Sequence, residues 1–146
     1  MIDITSAAIA TVISAGTSAT ISLLIARNNT KKSLDDQLDG ILKIAVQYPY
    51  LESKSFTDNW TSKYDKNDEK QLRYEVYATM VFNYLSRLSS FYRHNNDKIE
   101  QHVAMKQWVR IHRKYWHDPT EAYENVDTYD DPFVKLVEND LKGRVD

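Results

Sequence analysis

"DEKQLRYEVYATMVFNYLSRLSSFYR", residues 68–93, places Leu72, Val76, Tyr77, Met80, Val81, Tyr84, Leu85, Leu88, Phe91 and Tyr92 at intervals of one, three and four. That spacing lays one broad apolar face along a helix, and no strand alternation competes with it. The stretch therefore predicts the central helix of an all-α fold. The chain has only three Gly and three Pro, so few residues interrupt helix anywhere.

Toward the C-terminus, "HNND" at 94–97 breaks the pattern, and Asn96 or Asp97 can cap a further helix running to about His117. Its inward residues would be Ile99, Val103, Met105, Val109, His112 and Trp116. Asp118-Pro119 and Asp131-Pro132 each read as a cap followed by proline, starting a short helix and then a last one that ends near Lys142-Gly143. Toward the N-terminus, "YPYLESKSFTDNW" at 48–60 reads as an irregular connection with a short helical turn and aromatics that cover the core. Before it, Ser33-Leu34-Asp35-Asp36 resembles a cap with acids in the first turn. Leu34, Leu38, Ile41, Leu42 and Ala45 then repeat at helical spacing up to Pro49.

The segment Ile4–Ala26, "ITSAAIATVISAGTSATISLLIA", has no charge in 23 positions, eight of them Ile, Val or Leu and eight Ser or Thr. As a helix it would rise about 35 Å, enough for one tilted pass through a bilayer. Basic residues follow it at Arg27, Lys31 and Lys32, which by the positive-inside rule puts the N-terminus outside and the rest in the cytoplasm. A signal peptide would start with a basic region, and this chain starts Met-Ile-Asp. At 100° per residue, one side collects small residues including Ser14, Ala15, Ser18, Ala19 and Ser22, and the other collects Ile9, Val12, Ile13, Leu23 and Leu24. In lipid a small-residue face lets backbones approach, which favours a homo-oligomer. The bland alternative is that these hydroxyls bond back to their own i−4 carbonyls.

The expected architecture is all-α: one N-terminal transmembrane helix followed by a four- to five-helix cytosolic bundle. Residues 1–32 form the transmembrane anchor and juxtamembrane basic segment, and residues 33–146 the cytosolic helical domain. Asn28 to Lys32 is either a hinge or helix running through. The chain has no cysteine, which excludes disulfides and thiol nucleophiles.

Net charge is −2, unevenly placed. Residues 71–117 hold eight Lys or Arg against three acids, and residues 118–146 hold nine acids against three bases. On a helix through Asp97–His117, Lys106, Arg110, Arg113 and His117 would share one face, with Lys114, Trp108 and Tyr115 nearby. Such a stripe suits a phosphate-bearing ligand such as a nucleotide, because guanidinium pairs oxyanions and aromatics stack on bases. The alternative is pairing with Glu121, Glu124, Asp127, Asp130 and Asp131 of the acidic tail.

No catalytic residue, metal site or cofactor is expected. His112 and His117 are five apart, off the i,i+4 spacing of helical metal pairs, and His112 falls on the apolar stripe of a core residue. Arg87 with His94, and Arg110 with His117, match a loose pattern of helical ribonucleases and give a weaker third reading.

The anchor, with "YEVYATMVFNYLSRLSSFYRHN" (74–95) and "QWVRIHRKYW" (107–116), resembles small bacterial proteins that join one span to a helical domain of unknown function. By layout alone the chain also resembles the membrane-bound accessory effectors of type III CRISPR defence, in which a cytosolic helical domain binds a cyclic oligoadenylate and an oligomeric span perturbs the membrane. The resemblance implies a bacterial inner-membrane sensor or effector in antiviral defence. The competing expectation is a passive scaffold that recruits a cytosolic protein.

Overall fold

The computed structural model describes residues 4–118 and 125–143, with side chains described from residue 17 onward. Among the described residues the chain is helical, with no strand. In order the elements are α1 (Ile4–Gln47), a 3₁₀ turn (Pro49–Glu52), α2 (Lys54–Thr57), α3 (Glu69–Phe91), α4 (Asn96–His102), α5 (Met105–Ile111), α6 (Arg113–His117) and α7 (Asp131–Lys142). Two compact units result, Met1–Asp36 and Gln37–Asp146.

The first unit holds the N-terminal part of α1, which continues through Asn28–Lys32 without a hinge. Among the described residues no helix is long and apolar enough to cross a membrane. The Ile4–Ala26 segment lies partly outside them, because the side chains of residues 4–16 are not described; Ser14 and Ala15 fall there.

The second unit is built on α3. Asp68 caps it, its side chain accepting from the N–H groups of Lys70 and Gln71 at 3.0 and 3.3 Å. Tyr74, Tyr77, Ala78, Val81, Phe82, Tyr84, Leu85 and Leu88 are fully buried or nearly so. They pack with Ile41, Leu51, Trp60, Ile99, Met105, Val109, Trp116, Phe133 and Val137 in one core. The expected apolar face is displaced at its start, where Leu72 and Val76 are 44% and 54% exposed. Aromatic edges hold the irregular connection onto α3: Phe56 and Trp60 each lie 5.5 Å from the Tyr74 ring.

The break at 94–97 is a helix-ending backbone motif made without glycine. Arg93 and His94 take positive φ of 53° and 58°. The His94 N–H reaches the Ser89 carbonyl at 2.7 Å, and the Arg93 N–H reaches Ser90 at 3.1 Å. Those bonds satisfy the last carbonyls of α3 while holding two non-glycine residues in the left-handed region. Asn95 then caps α4, accepting from the Lys98 N–H at 3.0 Å.

The single helix expected from Asp97 to His117 is instead three. Val103, a β-branched residue, is extended at φ −150° and ends α4. The Glu100 side chain caps the next start by accepting from the Lys106 N–H at 2.7 Å. His112 leaves helical geometry at φ −99°, ψ 21°, and separates α5 from α6. The second unit thus has more and shorter helices than the four or five expected. The helix start expected at Pro119 lies outside the described residues. The last helix begins as expected, with Asp130 as its cap, accepting from the Phe133 N–H at 2.9 Å.

Replacing Arg93 by glycine removes one left-handed side-chain penalty against some gain in unfolded-chain freedom. Urea denaturation of Arg93→Gly is expected to show a gain of roughly 0.5–1 kcal/mol. A loss of stability would mean the Arg93 side chain does more than tolerate its backbone.

Candidate functional site

The strongest polar feature of the core is centred on His112, which is fully buried. Its Nδ1 lies 2.9 Å from the Tyr74 hydroxyl and its Nε2 lies 3.3 Å from Glu52 Oε1. The Tyr77 hydroxyl donates to the same Glu52 oxygen. A carboxylate only accepts, so the bond to Glu52 puts a proton on His112 Nε2, the tautomer in which Nδ1 accepts from the Tyr74 hydroxyl. Burial pushes both phenols well above their ordinary range; the Glu52 charge adds to the rise at Tyr74, and the hydrogen bond to Glu52 adds to it at Tyr77. Both therefore remain neutral donors. His112 is a satisfied core residue, as its position on the apolar stripe predicts.

Glu52 links this network to the surface. Together with Lys54, Glu100, Ala104, Lys106, Gln107, Arg110 and Ile111 it lines a groove of about 700 Å³. Three cations, Lys54 from α2 and Lys106 and Arg110 from α5, meet there. The two carboxylates are each engaged inside the fold, Glu52 by His112 and Tyr77 and Glu100 by the Lys106 N–H. These bonds fix both carboxylates in the groove wall, where their charges offset part of that of the three cations.

The four-residue stripe expected from spacing is divided by the break at His112. Lys106 and Arg110 reach the groove, whereas Arg113 pairs with Asp58 at 3.2 Å and His117 belongs to α6. Arg110 also braces the next element: its Nε and Nη2 donate to the Asp140 and Gly143 carbonyls at 3.2 and 2.7 Å. It thereby caps the end of α7 with a cation, where the helix dipole favours one. The basic block does engage the acidic tail, but through these backbone carbonyls; Glu121 and Glu124 lie outside the described residues. Lys54, absent from the expected stripe, was out of reach of sequence spacing because it comes from a separate four-residue helix.

Asp140 is 5% exposed, and its Oδ2 has no hydrogen-bond partner among the described residues. Burial raises its pKa, Lys106 and Arg110 oppose the rise, and Glu100 adds to it. The two ribonuclease-like pairs are engaged elsewhere: Arg87 donates to Gln37 at 2.8 Å, His94 Nδ1 lies 2.9 Å from the Ser89 hydroxyl, and Arg110 holds α7. In α1, Ser22 donates to the Ser18 carbonyl at 2.9 Å, the local bond of the bland alternative. Among the described residues no cluster of His, Asp and Glu is disposed to hold a metal.

A second groove, of about 530 Å³, is apolar and lies between the end of α1 and the start of α3, with Ile44, Leu72, Val76 and Met80 in its walls. Arg73 closes one side, donating to the Tyr50 hydroxyl at 3.0 Å and lying 4.2 Å over the Tyr48 ring. No family model, curated protein or solved structure matches the chain.

A carboxyl whose folded pKa is raised above its unfolded value of 3.8 costs stability at high pH, and that cost fades as pH falls through the folded pKa. Asp140→Asn is therefore expected to melt higher than the parent chain at pH 7, with the difference shrinking toward pH 4. Equal differences at the two pH values would show that Asp140 ionisation carries no penalty.

Proposed function

We propose that this chain is a single-pass membrane protein whose helical domain senses an anionic ligand and passes the signal to the membrane assembly. The observation that supports the ligand reading is the meeting of Lys54 of α2 with Lys106 and Arg110 of α5 around one groove, three cations against two carboxylates. Its size suits a small organic ligand, for which several hundred Å³ is usual. A nucleotide second messenger has the required phosphates and fits the resemblance in layout to the CRISPR-associated effectors. The groove holds two of the four residues chosen from spacing, so the ligand contacts are Lys106, Lys54 and the remaining donors of Arg110.

The membrane reading rests on the charge-free Ile4–Ala26 run and the basic residues after it. It places the chain in a bacterial inner membrane, with the N-terminus outside and residues 33–146 in the cytoplasm. Self-association rests on the small-residue face, where close backbone approach replaces a hydrophobic drive. The output would be a change in that assembly or in membrane permeability, as in antiviral defence, with no catalysis. The passive scaffold has its own observation, the apolar groove with exposed Leu72 and Val76 in its walls, suited to the apolar face of a cytosolic protein's helix.

Three measurements test the main reading. The detergent-solubilised full chain should gain thermal stability with cyclic or linear oligonucleotides, and Lys54→Ala with Lys106→Ala should abolish that gain while changing ligand-free stability by only about 0.5 kcal/mol. No gain with any oligonucleotide would favour the scaffold, whose partner binding Leu72→Glu should remove. Ser18→Leu with Ser22→Leu should reduce the oligomer to a smaller species in detergent; an unchanged size would end the association claim, and recovery of the chain in the soluble fraction after carbonate washing would end the span.

A further inference from the structure

On the outward face of α3, Asn83, Ser86 and Arg87 stand at i, i+3 and i+4, and with Gln37, Thr128 and Tyr129 they line a separate cavity of about 470 Å³. No acidic residue lines it among the described residues. Asp130, next to Tyr129 in the chain, is turned away to cap α7. Two hydrogen bonds orient the polar groups. The Tyr129 hydroxyl donates to Asn83 Oδ1 at 3.0 Å, which leaves the Asn83 Nδ2 with its two N–H donors. Arg87 Nη1 donates to Gln37 Oε1 at 2.8 Å, so the Gln37 amide also keeps its N–H₂ as a donor and the guanidinium is held at one end. Burial, with Tyr115 adding to it, raises the Tyr129 pKa, so the phenol stays a donor. Tyr129 is itself fixed, stacked 5.8 Å from Trp116 and 5.2 Å edge-on to Phe133.

We infer that the Asn83–Ser86–Arg87 cavity is a binding site for a small oxyanion, a phosphate monoester or a carboxylate. Arg87 is the counter-charge, and the Asn83 and Gln37 amides are preset donors with the Ser86 hydroxyl beside them. The chemistry follows from the lining: one cation, several neutral donors and no carboxylate reward one compact anionic group. Where the Lys106 groove mixes cations with carboxylates, this cavity does not, and the inference stands whether or not that groove binds a nucleotide.

The test uses the full ¹⁵N-labelled chain in detergent, titrated with inorganic phosphate, with acetate, and with chloride at matched ionic strength, while the Asn83 side-chain amide resonance is followed. Phosphate or acetate should shift that resonance saturably, and chloride should not. Tighter binding of phosphate than acetate assigns the site to phosphate monoesters, and the reverse assigns it to carboxylates. Arg87→Gln should weaken binding by about tenfold or more. Asn83→Asp still accepts from Tyr129 but replaces two donors with a negative charge, so it should abolish binding with the helical content unchanged. Tyr129→Phe keeps the ring stack and frees the amide to turn, and should weaken binding severalfold. A response equal to that of chloride, or Arg87→Gln and Asn83→Asp proteins that fold and bind as tightly as the parent, would overturn the inference.

Discussion

The fold of the second unit depends on the buried bonds of His112. One imidazole joins three segments: Tyr74 of α3, Glu52 of the 3₁₀ turn and the junction of α5 with α6. A buried ring nitrogen without a partner costs about 1–3 kcal/mol, so the three segments are held to one arrangement in which both nitrogens are satisfied. The short helices need this. Helices of five and seven residues such as α6 and α5 do not persist alone, because nucleation is unfavourable and few bonds follow it. Their order comes from packing α5 against α7, from the Trp116 ring against Phe82 of α3, and from the bonds of His112.

The same constraint shapes the surface. With the chain leaving helical geometry at His112, the basic residues before and after it are directed to different neighbours. Lys106 and Arg110 reach the groove beside Glu52, and Arg113 reaches Asp58. Glu52 is common to both settings, bonded to the buried imidazole and half-buried in the groove wall. Arg110 is tied similarly, since it joins α5 to the end of α7.

Much of the helical plan was legible because helix signals are local. The period of α3, the acid at Asp68 and the Asp-Pro start of α7 each act within a turn or two of the residues that carry them. The core role of His112 was legible for the same reason, from its place on an apolar stripe. The division of Asp97–His117 was not legible, because that stretch contains no Gly or Pro. Its breaks are an extended Val103 and a histidine whose partners are 38 and 60 residues away. The ladder of Lys106, Arg110, Arg113 and His117 assumed unbroken helix, and the assumption failed at the residue that the core needed most.

By itself, then, the sequence determined that this chain is helical, that residues 68–93 organise it, and that an uncharged N-terminal run precedes a domain with separated basic and acidic blocks. Periodicity, capping and charge order are properties of neighbours along the chain. Only the tertiary structure decided which cations share a groove, which carboxylates are already engaged, and that Asn83 presents its donors outward because Tyr129 holds its oxygen. Those outcomes depend on partners tens of residues apart, brought together by burying the aromatic face of α3. No repeat along the chain encodes them.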